Sequence, residues 1–254
     1  MVYQLNKLLT KFTVRTSTML KTVDSATRYP IYNTNIPAKV LMGWEYEIDI
    51  PTVLNADSWR NKVNKIRPVV GPEFTFTQDG GHSTLNGYTY GVEVRSPVGP
   101  LFLAKHWAKT LKPFTRECPH HNGPNNNGGI HVNISKNEFT KKVWPKVKDF
   151  LHNRKYYKLL FSLSDRSPRS FDLNACQGST GFHTGIITAS KFYAYELRMF
   201  GAHTDTFFPA LEFADAVFRF ADIVDTIIPD NFFAWIDKQP KYAELSKYIA
   251  AKLQ

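Results

Sequence analysis

Cysteine is scarce in this chain, which has only Cys118 and Cys176 among 254 residues. Two thiols are too few for a disulfide framework, and a reducing compartment is the simpler interpretation, although the two could still pair. No apolar run approaches the roughly 18 residues that a membrane-spanning helix needs. The N-terminus also lacks the apolar stretch and the cleavage site of a secretory signal. We therefore expect a cytoplasmic protein without a membrane span.

Acidic residues are in the minority. The chain has 32 Lys and Arg against 22 Asp and Glu, which gives a formal net charge of +10. A basic field attracts anions such as nucleic acid, anionic membrane surfaces, nucleotide phosphates and polycarboxylates. Because no run of Lys and Arg exceeds two residues, the charge predicts an anionic ligand without defining a nucleic-acid footprint.

The chain has no internal repeat and no linker long enough to separate two domains. A hydrophobic content of 43% and an aromatic content of 14% fit a folded chain. Residues 1–38 are basic and rich in Ser and Thr. That composition fits a transit peptide or a solvated arm leading into the first strand. We predict a basic N-terminal arm over 1–38 and one α+β domain over 39–254.

Hydrophobic periodicity predicts the elements of this domain. Strands are expected at 40–50, from Phe74 onward, and at 90–95, 129–135 and 192–200. Helices are expected at 57–66, 100–112, 137–164, 207–228 and 238–253, with Pro145 starting or kinking the third. The helical spacing of five phenylalanines indicates core packing: Phe207, Phe208, Phe213, Phe218 and Phe220.

Four of the predicted strands carry polar side chains on one face only, since successive residues of a strand point to opposite sides. The polar positions are Glu45, Glu47, Glu93, His131, Asn133, Glu196 and Arg198. The apolar positions between them are Trp44, Tyr46, Ile48, Val92, Val94, Ile130, Val132, Ile134, Tyr195, Leu197 and Met199. If these strands share one sheet with its apolar face on a core, the polar side chains converge on the other face.

Four converging carboxylates would repel one another and raise one another's pKa values. A divalent cation removes that repulsion, and Mg²⁺ and Mn²⁺ prefer carboxylate oxygens. Arg198 offers a planar cation for a phosphate or a carboxylate. The ordinary alternative is an antiparallel sheet with one wet face, which alternates in the same way. The absence of Lys from these positions favours the metal site.

Taken in order, these segments resemble the amidoligase family, part of the glutamine synthetase-like carboxylate–amine ligase superfamily. They are Gly43-Trp-Glu-Tyr-Glu47, Asp79-Gly-Gly-His-Ser83 with Glu93-Val-Arg-Ser-Pro97, Gly128-Gly-Ile-His-Val-Asn133 and Tyr195-Glu-Leu-Arg-Met-Phe200. Each motif is short, and the order of the four is what is specific. The resemblance implies a curved, mainly antiparallel sheet of the glutamine synthetase catalytic type, flanked by helices.

The resemblance also implies two metal ions. Glu47 and Glu93 would bind the ion nearer the substrate. The second ion, against the ATP phosphates, would be bound by Glu45, His131 and Glu196. The cofactors implied are ATP and Mg²⁺, or Mn²⁺ in its place.

The implied reaction activates a substrate carboxylate as an acyl phosphate, which the amine of an amino acid or peptide attacks to give an amide, ADP and phosphate. Arg198 would stabilise the transferring γ-phosphoryl group. Glu93 and Asp79 are further catalytic candidates, and Asn133 and Arg166 are candidates for the nucleotide site. Arg166 could equally lie in a solvated loop.

Two positions depart from the family pattern. Asp79-Gly-Gly-His-Ser83 stands where Asp-Gly-Ser is usual, which puts the position of Ser83 in doubt. Asn133 stands where relatives often have a second histidine. Family members include versions encoded by bacterial viruses and in peptide- or cell-wall-modifying gene sets, so the acyl donor and amine acceptor stay open.

Two further motifs are weaker evidence for a ligand site. Cys118-Pro-His-His121, taken with Cys176, suggests zinc but lacks the paired ligand spacing of zinc sites. Gln177-Gly-Ser-Thr-Gly181 lacks the Gly-Lys-Ser/Thr ending of a P-loop. The net charge leaves open a non-catalytic structural protein, bound to nucleic acid or a virion, that retains the ligase fold. A metal-dependent hydrolase using the same carboxylates is a third possibility, although no independent nucleophile is evident.

Overall fold

The computed structural model describes residues 38–50, 64, 67–71, 74–79, 83–84, 87–88, 90–116, 129–164, 186–189, 191, 193–202 and 205–254. The strands are β1 (Met42–Ile50), β2 (Thr75–Asp79), β3 (Ser83–Thr84), β4 (Gly87–Tyr88), β5 (Tyr90–Arg95), β6 (Gly129–Ser135), β7 (Ile187–Thr188) and β8 (Ala194–Gly201). The main helices are α1 (Leu101–Arg116), α2 (Glu138–Leu151), α3 (Tyr157–Ser164), α4 (Phe207–Ile223), α5 (Pro229–Asp237) and α6 (Ala243–Lys252). The basic arm predicted for 1–38 lies, apart from residue 38, outside the described residues, as does most of the helix predicted for 57–66.

One antiparallel sheet organises the described part of the chain. Its strand order is β2-β5-β1-β6-β8-β7, and every pairing in it is antiparallel. Five strands have five or more residues, and the two-residue β7 lies at one edge. The α+β prediction is confirmed. The four strands that carry the motifs, β5, β1, β6 and β8, are consecutive neighbours.

The apolar face of the sheet packs against helices through β1. Trp44 and Tyr46 are fully buried, and both contact the ring of Phe207 in α4 with ring centroids 4.9 Å apart. The Trp44 indole N–H donates to the Ala104 carbonyl of α1 at 3.1 Å, and the Tyr46 hydroxyl donates to the Ala202 carbonyl at 3.0 Å. Since side chains alternate along a strand, anchoring Trp44 and Tyr46 on the helices directs the intervening glutamates to the opposite face.

Helix α4 is the central helix of the core. Four of the five phenylalanines assigned to the core are buried there, while Phe208 is partly buried beneath the ammonium groups of Lys105 and Lys112. Two buried acids in α4 bind the C-terminal segment: Glu212 accepts the Leu245 N–H at 2.7 Å, and Asp215 accepts the Tyr242 hydroxyl at 2.8 Å.

The helix boundaries differ from the sequence prediction in several places. The helix predicted for 137–164 is interrupted after α2, because Asn153 caps a 3-10 turn at Arg154–Tyr156 before α3 begins. The helix does not start at Pro145, which lies within α2; Asn137 instead forms a capping box with Thr140. Helix α5, with Pro229 in its first turn, was not predicted. No helix among the described residues has the length and apolar character required to cross a membrane.

Candidate metal centre

The register of β1 with its two neighbours sets the positions of the polar side chains. Glu45 lies opposite Arg95 of β5 and opposite His131 of β6, while Glu47 lies opposite Glu93. Residues directly opposite on one face have Cβ atoms about 5 Å apart. Carboxylates, imidazole and guanidinium are therefore neighbours on the face away from the helices, as the alternation predicted.

A β-bulge in β8 lies opposite His131. Ile130 pairs with Phe200 but Val132 pairs with Leu197, so Arg198 and Met199 both face His131. Strict alternation would place Phe200 on the polar face, but its ring packs on Phe213 of α4 with centroids 5.6 Å apart. Bulges of this kind redirect side chains and often occur beside functional sites.

Glu45, His131 and Glu196 form a buried group, called here the trio, whose candidate ligand atoms all lie within 4.8 Å of one another. The Nδ1 atom of His131 is 3.5 Å from Glu45 Oε2 and 3.6 Å from Glu196 Oε1. His131 is only 2% exposed. Its Nε2 atom lies 3.6 Å from Glu47 Oε1 and has no hydrogen-bond partner among the described residues.

Cations surround the trio. The Lys191 ammonium lies 2.6 Å from Glu45 Oε1 and 2.8 Å from Glu196 Oε1, and it donates to Asn133 Oδ1 at 3.0 Å. Asn133 in turn donates to Glu45 Oε1 at 2.9 Å. The Arg198 guanidinium donates to Glu196 Oε1 at 3.0 Å. Such charge-assisted contacts compensate the burial of two carboxylates.

Glu47 and Glu93 form the other half of the polar face. Glu47 accepts the Gly129 backbone N–H at 2.5 Å, and Glu93 forms an ion pair with Arg95. On the neighbouring edge strand, the hydroxyl oxygens of Thr75 and Thr77 are buried without a hydrogen-bond partner among the described residues. This half thus combines two carboxylates with an arginine and two unsatisfied hydroxyls.

The two halves have different electrostatics. Burial would raise the pKa of Glu45, but its contacts with His131 and Lys191 outweigh burial and hold the pKa well below its usual range. Burial and the nearby charge of Glu45 raise the pKa of Glu93 to about 7, with Arg95 acting in the opposite direction. A carboxyl group with that pKa exchanges protons readily at neutral pH, as a general base must.

The donor atoms of the trio fit a divalent cation. Its two carboxylates are typical ligands of Mg²⁺ and Mn²⁺, and its imidazole is more typical of transition metals. The His131 Nε2 atom, buried and without a hydrogen bond, is a second observation that points to an absent ligand beside the trio. The predicted ligand set Glu45, His131 and Glu196 therefore forms a group that could hold a metal ion.

The remaining residues that the sequence singled out are either placed only by their backbone or lie outside the described residues. The Asp79 backbone pairs with Gly91 at the end of β2, two residues from Glu93 along β5, and Ser83 lies in β3. Arg166 lies outside the described residues, as do Cys118 and Cys176. No structural role is assigned to these side chains.

Two charged residues of the polar face, Arg95 and Lys191, were not identified from the sequence. Arg95 has the same strand parity as Glu93, so the alternation argument could have found it. Lys191 lies in the irregular segment before β8, where no periodicity indicates direction. No lysine occupies the polar strand positions, but the Lys191 ammonium reaches the same face from outside the strands.

Comparison of the chain with protein-family models, curated proteins and solved structures gives no match. The geometry of this face and the order of the four motifs are therefore the indications of function.

Proposed function

We propose that the chain is an ATP- and Mg²⁺- or Mn²⁺-dependent ligase that joins a carboxylate to an amine through an acyl phosphate. One observation carries the proposal: the trio is buried on the same sheet face as Glu47, Glu93, Arg95 and Arg198. The reaction needs cation sites and fixed positive charge around a transferring phosphoryl group. The order of the four motifs supports the amidoligase resemblance.

The trio would hold one cation, and Glu47 with Glu93 would supply carboxylates for a second. Bound Mg²⁺ would supply charge neutralisation at the phosphates of ATP. Arg198 is held beside the trio by Glu196, which places a guanidinium charge where it would stabilise a transferring phosphoryl group. In the metal-free protein the pKa of Glu93 is about 7. A bound cation would lower that pKa, so Glu93 would act either as a metal ligand or as the base that removes a proton from the attacking amine, and not as both. The substrates we propose are an amino acid or peptide carboxylate and an amine.

The proposal is tested by titrating a non-hydrolysable ATP analogue with Mn²⁺ into the wild type and into the double variant Glu45→Gln/Glu196→Gln, using calorimetry. We expect the double variant to lose at least about 100-fold in affinity, since changes to residues that merely support metal ligands already cost about 10–100-fold. The double variant leaves Lys191 and Arg198 without their carboxylate partners, so its fold must be shown to be intact before its affinity is compared.

Glu138→Gln is the matched control, because Glu138 is exposed in the first turn of α2. Circular dichroism on all three proteins checks that the fold is intact. Equal binding by the wild type and the double variant would remove the trio from the nucleotide site. No binding by any of the folded proteins would contradict the ligase proposal.

A non-catalytic function is the second candidate. The Lys191 ammonium already neutralises Glu45 and Glu196 without a metal ion, and the net charge of +10 favours an anionic partner. In that case the protein binds nucleic acid with a steep salt dependence and has no affinity for nucleotide. Filter binding to DNA at 50 and 200 mM salt separates the two candidates.

A further inference from the structure

The Lys191 ammonium lies against the two carboxylates that a metal ion in the trio would bind. It has three N–H donors, and three oxygens lie within reach: Glu45 Oε1 at 2.6 Å, Glu196 Oε1 at 2.8 Å and Asn133 Oδ1 at 3.0 Å. A Mg²⁺ ion approaches its oxygen ligands to about 2.1 Å. A metal ion bound to the same two carboxylates would lie within a few ångströms of the ammonium, where two positive charges repel each other, so each cation weakens the binding of the other.

The backbone that carries Lys191 is itself fastened to the end of β6. The Lys136 ammonium donates to the carbonyls of Ala189 and Lys191 at 2.7 and 2.5 Å, and the Lys136 N–H donates to the Tyr193 carbonyl at 2.8 Å. Lys136 therefore holds the backbone around Lys191 against the end of β6. The Lys191 side chain is 24% exposed, so it lies at the open side of the trio and has solvent into which it can move.

We infer that Lys191 is a tethered internal cation that competes with the metal ion for the trio, and that Lys136 positions it. When a divalent cation binds, the ammonium leaves Glu45 and Glu196 but stays at the rim, because its backbone is held by Lys136. The competition neutralises the buried carboxylates whenever the metal is absent. A metal ion displaces the ammonium when it binds, so the competition lowers the apparent affinity of the trio for metal. The inference rests on the metal site of the proposed function and is independent of ATP.

The test measures Mn²⁺ binding by calorimetry in the wild type and in Lys191→Met, a variant that keeps the length of the side chain and removes its charge. A hydrogen bond to a charged group is strong enough to change an equilibrium about tenfold or more. We therefore expect Mn²⁺ to bind Lys191→Met at least about tenfold more tightly.

Lys142→Met is the control for the general loss of one positive charge. Lys142 is 76% exposed on α2 and pairs with Asp222 at 3.4 Å. Its substitution is expected to leave Mn²⁺ affinity unchanged. Lys136→Met keeps the Lys191 ammonium but loosens its backbone, so we expect a smaller rise in affinity; an unchanged affinity would overturn the positioning role.

The outcomes separate this inference from the proposed function. Equal or weaker Mn²⁺ binding by Lys191→Met, beside a wild type that binds, overturns the competition and leaves the metal site in place. Binding by Lys191→Met alone supports Lys191 as the resident cation and overturns a metal-dependent function for the wild type. Absence of binding in both overturns both.

Lys191→Met is expected to be less stable, because Glu45 and Glu196 lose the ammonium that both contact, although Glu196 keeps Arg198 as a cationic partner. Thermal unfolding then provides a second readout. The rise in melting temperature on addition of Mn²⁺ should be larger in Lys191→Met than in the wild type. An equal or smaller rise contradicts the competition.

Discussion

Glu93→Gln is expected to make the metal-free protein more stable than the wild type above pH 7, by up to about 3 kcal/mol. Burial and the charge of Glu45 raise the pKa of Glu93 from 4.5 to about 7. Each pKa unit corresponds to about 1.4 kcal/mol. Between about pH 4.5 and pH 7 the folded state keeps a proton that the unfolded state has lost, so stability falls as the pH rises through this window. Glutamine resembles the protonated acid and avoids the loss.

The measurement is urea unfolding in EDTA at pH 5 and pH 8. At pH 5 the wild type and Glu93→Gln should have similar free energies of unfolding, because Glu93 is then protonated in the folded state. At pH 8 the variant should be the more stable protein. Glu138→Gln removes an exposed carboxylate of α2, outside the polar face, and should follow the wild type at both pH values. A difference between wild type and Glu93→Gln that does not change with pH would contradict the raised pKa.

A stabilising substitution at this position would support a functional reason for the carboxylate. Glu93 is buried beside Glu45, and Arg95 offsets only part of that cost. Side chains chosen for stability alone would not place ionisable acids in this arrangement. A cluster that lowers stability in the absence of a metal is typical of a binding or catalytic site.

The sequence predicts one face of this site well, because period-two alternation is a local property of a strand. Glu45, His131 and Glu196 lie on three strands far apart in the chain, yet each strand already separates its polar from its apolar positions. If the apolar sides of these strands pack on a single core, their polar sides must lie together on the opposite face of the sheet. Strand parity also marks Arg95, which the sequence reasoning overlooked.

The bulge in β8 and the position of Lys191 depend on tertiary contacts that no local sequence pattern encodes. The bulge opposite His131 changes the parity of β8 within one residue, so that Phe200 packs on α4. Lys191 reaches the trio from an irregular segment whose path depends on the distant Lys136 ammonium. The break after α2, in contrast, has a local signal in Asn153, since asparagine favours caps over helix interiors.

Trp44→Ala is expected to destabilise the protein by about 3–5 kcal/mol, the range for removing a large aromatic side chain from a packed core. Trp44 is 1% exposed, contacts Phe74 and Phe207, and donates its indole N–H to the Ala104 carbonyl. Its loss therefore leaves a cavity and removes the hydrogen bond to the Ala104 carbonyl. In a domain of this size each kcal/mol lowers the melting temperature by about 2–4 °C, so a fall of roughly 6–20 °C is expected. Differential scanning calorimetry measures it.

Trp235→Ala is the matched control, because Trp235 is only partly buried and packs on Phe220 and Tyr242 within the helical layer. We expect a smaller loss of stability there and unchanged Mn²⁺ affinity. In Trp44→Ala, Mn²⁺ affinity should fall as well, measured below its melting temperature. Trp44 and Glu45 are consecutive in β1, so a shift of the strand towards the cavity moves the glutamate away from His131. Unchanged affinity in a destabilised Trp44→Ala would show that the carboxylate is held from the polar side alone, by Asn133 and Lys191.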